Sequence, residues 1–78
     1  MVKRIRLEKI TELPDAVTPN NINVGEVRTG VITRSPEIGR GLLLKKDNGG
    51  YFITSPVTEI FDIFRFKTQN SIYKIEYL

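Results

Sequence analysis

Apolar and polar positions alternate along this chain in short runs, and each run is cut by turn-forming residues. The sharpest case is Leu42-Leu43-Leu44-Lys45-Lys46, then Asp47-Asn48-Gly49-Gly50, then Tyr51-Phe52-Ile53-Thr54. Asn-Gly and Gly-Gly supply the positive φ angles that tight hairpin turns need. With apolar runs on both sides, the segment predicts two paired antiparallel strands.

The same pattern continues on either side. In residues 2–10, Ile5 and Leu7 share one strand parity and Ile10 falls on the other, which predicts a strand with a bulge or an early end. Residues 13–23 hold two prolines and three asparagines and read as a long loop, with Val17 and Ile22 tacking it to the core. Residues 24–34 read as the best strand: Val27, Thr29, Val31 and Thr33 take one face, and Glu26, Arg28, Ile32 and Arg34 the other. Gly30 inside it marks a bend or the close approach of another backbone.

Farther on, Ser55-Pro56 reads as a helix start, and Val57, Ile60, Phe61 and Phe64 follow at helical spacing. A short helical turn near 56–62 is therefore expected, running into a strand near Phe64, with Phe66 alternating with Arg65 and Lys67. Residues 72–78 close the fold as a strand with Tyr73, Ile75 and Tyr77 on one face. The sum is an all-β, mostly antiparallel domain spanning 1–78, with about five to six short strands and one helical turn. Small connections and spaced glycines favour an SH3-like or OB-like barrel. The expected core is Val27, Val31, Leu42, Leu44, Ile53, Ile60, Phe64, Phe66 and Ile75.

Composition narrows the chemistry more than the fold. The chain has 78 residues, no cysteine and no histidine. A domain of this size has a stability on the order of 4–12 kcal/mol, with no disulfide to reinforce it. Without imidazole or thiolate, the commonest transition-metal ligands and the commonest general base are missing, so no metal and no cofactor is expected. Glu59 and Asp62 read as a solvated pair, and serine has no Ser-x-x-Lys partner, so the chain is expected not to be an enzyme. No apolar run approaches the length of a membrane span, and the basic N-terminus lacks the apolar block of a secretory signal. A cytoplasmic protein that does not enter membranes is expected.

Thr54-Ser55-Pro56-Val57, with the later Phe66-Lys67-Thr68-Gln69-Asn70-Ser71-Ile72-Tyr73, resembles a pattern in small uncharacterised β-barrel proteins of bacterial and phage genomes. The resemblance covers roughly residues 24–78. It implies a compact barrel and supplies no activity to expect. Read by their own chemistry, Thr54 and Ser55 cap the helical turn, and Asn70 with Ser71 closes a hairpin through side chain-to-backbone bonds. The competing reading makes Thr54, Ser55, Asn70 and Ser71 a ligand site.

Charge supplies the second functional thread. Twelve lysines and arginines against nine acids give +3. Arg28, Arg34, Lys45 and Lys46 form a positive patch suited to phosphates if they share one face, and Tyr51 beside them offers a stacking surface. Gly39-Arg40-Gly41 and Asn48-Gly49-Gly50 are turns and not phosphate loops, because no helix and no Gly-Lys-Ser/Thr follows. Two classes thus compete. The first is a non-enzymatic interaction or assembly module with a protein partner, of the kind found among accessory proteins of phages and mobile elements. The alternative is a nucleic-acid-binding barrel with a basic face. A net charge of +3 is a weak electrostatic footprint, which favours the first.

Overall fold

The first strand organises the sheet. In the computed structural model, which describes residues 2–13 and 24–78, the strands are β1 (Lys3–Glu12), β2 (Val27–Ile32), β3 (Leu43–Lys46), β4 (Tyr51–Ile53), β5 (Val57–Asp62), β6 (Arg65–Thr68) and β7 (Ser71–Tyr77). β1 is the middle strand, pairing antiparallel with β2 on one side and β7 on the other. All seven lie in one sheet, ordered β4-β3-β2-β1-β7-β6-β5. Apart from Leu13, the expected loop at 13–23, with Val17 and Ile22, lies outside the described residues.

The sheet is not closed, so the expected barrel is not formed by strand pairing. β4 and β5 are its two edges, although they follow one another in the chain. The sheet curls enough for the β2–β3 connection to touch β5 through one isolated parallel bridge, Ile38 to Val57. Gly39 N donates to Val57 O at 2.8 Å and Val57 N to Arg40 O at 2.9 Å. Gly30 allows the curl. A Cβ at that position would collide with the Lys45 carbonyl on β3, so only glycine lets β3 approach β2 this closely.

The β3–β4 hairpin forms as expected. Leu43 pairs with Ile53, Leu44 with Phe52 and Lys45 with Tyr51. Gly49 and Gly50 take φ of 93° and 77° in its turn, and Lys46 N donates to Gly50 O at 3.0 Å. Ile5, Leu7 and Lys9 point inward and Ile10 outward by simple alternation, and the register of β1 on β7 shifts between Lys9 and Thr11.

The helical turn near 56–62 is not there: Val57–Asp62 is the strand β5, and no helix occurs among the described residues. The helical spacing has a different source. β5 carries two register irregularities, between Val57 and Glu59 and between Ile60 and Asp62. Each breaks the two-residue alternation, and the result mimics a period of three to four. The residues themselves, two β-branched aliphatics, a threonine and a phenylalanine, suit a strand.

The buried core is Ile5, Leu7, Ile32, Leu42, Leu44, Val57, Phe66, Tyr73 and Ile75, with Phe52 and Tyr77 packed against it. Tyr73 is its hub, stacked on Phe66 at 5.4 Å between ring centroids and edge-on to Phe52 at 6.5 Å. Leu42, Leu44, Phe66 and Ile75 lie inside as expected. Ile53, Ile60 and Phe64 do not; they are exposed. Val27 and Val31 are only half-buried, on the opposite face of β2 from the core. Pairing decides this: Ile5 lies opposite Gly30, and Lys3 opposite Ile32, so the inward face of β2 is the one that carries Gly30 and Ile32.

Candidate partner-binding edge

Cross-strand register separates the basic residues that composition grouped. Lys45 and Tyr51 are direct partners on the outer face of β3–β4, and Tyr51 is 66% exposed. Lys46, the next residue, points to the other face. It borders, with Arg28, a recess that Val27, Thr29 and Asp47 also line. Arg28 is also bound to Glu26 at 3.0 Å. Arg34 lies in the β2–β3 connection, beside a separate hollow that Glu37 and Arg40 share. The outer face is further balanced by Arg4–Asp47 at 2.7 Å and Arg6–Glu76 at 3.8 Å. Arg28, Arg34, Lys45 and Lys46 therefore do not converge on one face.

Thr54, Ser55, Asn70 and Ser71 do come together, as a brace. Asn70 Nδ2 donates to Ser55 Oγ at 2.6 Å, which ties the β6–β7 turn to the β4–β5 link. Thr54 Oγ1 accepts from Leu42 N at 2.9 Å and donates to Ser55 O at 2.8 Å. Thr68, rather than Asn70 or Ser71, closes the β6–β7 turn: its hydroxyl accepts from Asn70 N and Ser71 N and donates to Ser71 O. With no helix present, Thr54 and Ser55 have nothing to cap. Bonds between backbone and buried hydroxyls hold the connections in place, at about 1 kcal/mol each.

Next to the brace, Lys9 is 1% exposed and faces Tyr73 across β1–β7, with its Nζ 3.2 Å from Glu12 Oε1. Its four-carbon stem fills core volume while the ammonium finds a carboxylate. Burial raises the Tyr73 phenol above its ordinary value; Ser71 pulls it down, and the Glu12 charge raises it further. Among the described residues, no three His, Cys, Asp or Glu side chains gather to hold a metal ion, and no helix is long and apolar enough to cross a membrane.

The unexplained chemistry lies at the opposite edge, in the β5–β6 hairpin. Asp62 pairs with Arg65, so the turn itself is Ile63-Phe64. Turns usually take Gly, Asn, Asp or Ser at such positions, because those residues suit the backbone and are at ease in water. Here only Asp62 does that work. Its Oδ1 accepts from Phe64 N at 2.8 Å, and its Oδ2 accepts from Arg65 at 3.0 Å. Those two bonds, the backbone one foremost, hold its carboxyl below the usual aspartate value.

Around this turn four large apolar side chains face solvent. Ile60 and Phe61 are exposed on β5, Ile63 is 69% exposed, and Phe64 is 49% exposed with its other side on Tyr77 at 6.3 Å. Single exposed apolar residues are ordinary on a protein surface; four of them within residues 60–64 are a denser exposure than that. Beside it lies a hollow of about 320 Å³, lined by Ile60, Phe66, Ile75 and Tyr77 together with the Asp62–Arg65 pair. β5 is paired on one side by β6, and on the other only by the bridge at Val57. Beyond Val57 the outer edge of β5 has no strand neighbour among the described residues.

Sequence reasoning missed this surface because it assigned Ile60 and Phe64 to the core. The signal that could have found it is Asp62-Ile63-Phe64-Arg65, an acid and a base closing on two apolar residues. No protein-family model, no curated protein and no solved structure matches the chain.

Proposed function

We propose that this protein is a non-enzymatic interaction module that holds a protein partner at its β5–β6 edge. The observation that carries the reading is the apolar hairpin tip. Ile63 and Phe64 occupy turn positions that usually carry polar residues and are 69% and 49% exposed, and Ile60 and Phe61 are exposed along the adjoining strand edge. Edges of this kind are normally blunted by charge, proline or cover, because they invite pairing with another chain. Here the edge carries two acids and two register irregularities, yet Ile60 and Phe61 stay exposed along it, which fits a surface that is covered in use.

The nucleic-acid reading has less support. It needs several cations on one face, and the register splits them between two faces and a loop. A photo-crosslinking residue placed at position 63 tests the choice in cells that produce the protein. The proposal expects a discrete, protease-sensitive adduct from position 63 and none from position 8 on the outer face of β1. A nuclease-sensitive adduct from position 51 would favour nucleic acid instead. The absence of any adduct at 63 would overturn the proposal.

A further inference from the structure

Resting on that reading, we infer that the partner enters as an extended strand of alternating apolar and basic residues, added to the free edge of β5. Three observations converge on this mode. The first is hydrogen-bonding capacity. β5 has a β6 neighbour on one side only, and past Val57 its outer edge has no strand beside it among the described residues. Backbone N–H and C=O groups on such an edge are satisfied by water or by a further strand, and an added strand gains main-chain bonds along its whole length.

The second observation is the hollow. It lies between the Ser35–Pro36 segment of the β2–β3 connection and the inner side of β5, where Ile60 lines it and Glu59 does not. Ile60 pairs with the buried Phe66, whereas Glu59 pairs with Lys67. A strand laid beside Glu59 and Ile60, the regular stretch between the two irregularities, alternates in the same way. Its inward side chains enter the hollow over Phe66, Ile75 and Tyr77, and its outward ones stand beside Glu59. The hollow, at about 320 Å³, has room for aliphatic side chains beside the Asp62–Arg65 pair.

The third observation is charge. β5 reads Val-Thr-Glu-Ile-Phe-Asp, with two acids and no base. Asp62 is occupied by Arg65, but Glu59 is exposed and forms no ion pair among the described residues. An added strand with cations at its outward positions complements that edge. A second copy of this chain does not: pairing β5 with β5 brings the two Glu59 carboxylates to one shared edge with no added cation, and like charges across strands are unfavourable.

The test uses the isotope-labelled full chain and two synthetic probes, acetyl-Lys-Val-Lys-Val-Lys-Val-amide and its glutamate counterpart. The expected result is that the lysine peptide shifts the amide signals of residues 58–62, slows their hydrogen exchange, and binds about fivefold or more tightly than the glutamate peptide. Glu59→Lys, an exposed substitution, should reverse that preference while leaving the spectrum folded. Binding mapped to the β4 edge, equal binding of the two peptides, or no shift at about 1 mM peptide would overturn the inference. A concentration-dependent dimer formed through β5 would also overturn it, in favour of a second copy. The two readings fail separately. A protein adduct from position 63 together with undisturbed β5 amides leaves the interaction module standing and removes strand addition alone.

Discussion

The two edge hairpins of this sheet are built on opposite terms. β3–β4 turns through Asp47-Asn48-Gly49-Gly50, where polar side chains meet water and two glycines take the left-handed backbone that the turn requires. β5–β6 turns through Ile63-Phe64 with no residue at positive φ, held by Asp62 and its bonds to Phe64 N and Arg65. The first turn is explained by folding alone: every residue in it suits the turn's geometry or its solvent. In the second, one aspartate holds the turn, while Ile63 stands largely in water and Phe64 is half-exposed against Tyr77. A position that folding does not explain points to a role outside folding.

If that distinction holds, substitutions should separate by hairpin face and not by residue type. The largest effect is expected just behind the apolar tip. Phe66 is buried and stacked on Tyr73, so Phe66→Ala should cost about 3–5 kcal/mol on chemical denaturation. Phe64, two residues earlier and half-exposed, should lose only about 1 kcal/mol as alanine. Equal losses would erase the contrast between core and tip.

Alkali gives the next effect. The Tyr73 phenol has its proton affinity raised in the folded state, so its contribution is fully present below the ordinary tyrosine value and is lost as pH rises through the folded one. Stability should fall above about pH 10, and Tyr73→Phe should flatten that fall. A profile unchanged by the substitution would show that another group titrates there.

Gly49→Ala probes the polar hairpin directly. A Cβ there meets nothing within 4 Å, so only the left-handed backbone at φ 93° opposes it. A loss of about 1–2 kcal/mol is expected; a neutral result would mean that the turn relaxes freely. The smallest effect belongs to Asp62. Its carboxyl is held below the usual value, so the support it gives the tip is present above that value and lost as pH falls through the folded one. The Phe64 amide should exchange faster in acid than its neighbours in β6, and Asp62→Ala should remove that pH dependence.

The comparison also shows what the sequence made legible. Asn48-Gly49-Gly50 between apolar runs predicts its hairpin correctly because the turn chemistry and the strand period agree. The alternation of Tyr73, Ile75 and Tyr77 places three residues on the inner face of β7 for the same reason. In β5 the two cues conflict. Two bulges turn a strand into an apparent helical period, and Ser55-Pro56, which reads as a helix start, is instead a link braced by Asn70. Val27 and Val31 mislead differently: the more β-branched face of β2 is the outer one, because Gly30 is needed inside, where β3 crosses closest. The basic residues were countable, but their faces depend on register, and adjacent Lys45 and Lys46 necessarily point apart.

The central claim is that the β5–β6 tip is kept for a partner and not for the fold. The most direct test is the urea denaturation of the double variant Ile63→Asn/Phe64→Ser against the native chain. Asp62 and Arg65 remain to hold the turn, so stability is expected to stay within about 1–1.5 kcal/mol of native, with an unchanged denaturant slope. A loss of about 3 kcal/mol or more would place the tip among the structural elements of the core and contradict the account.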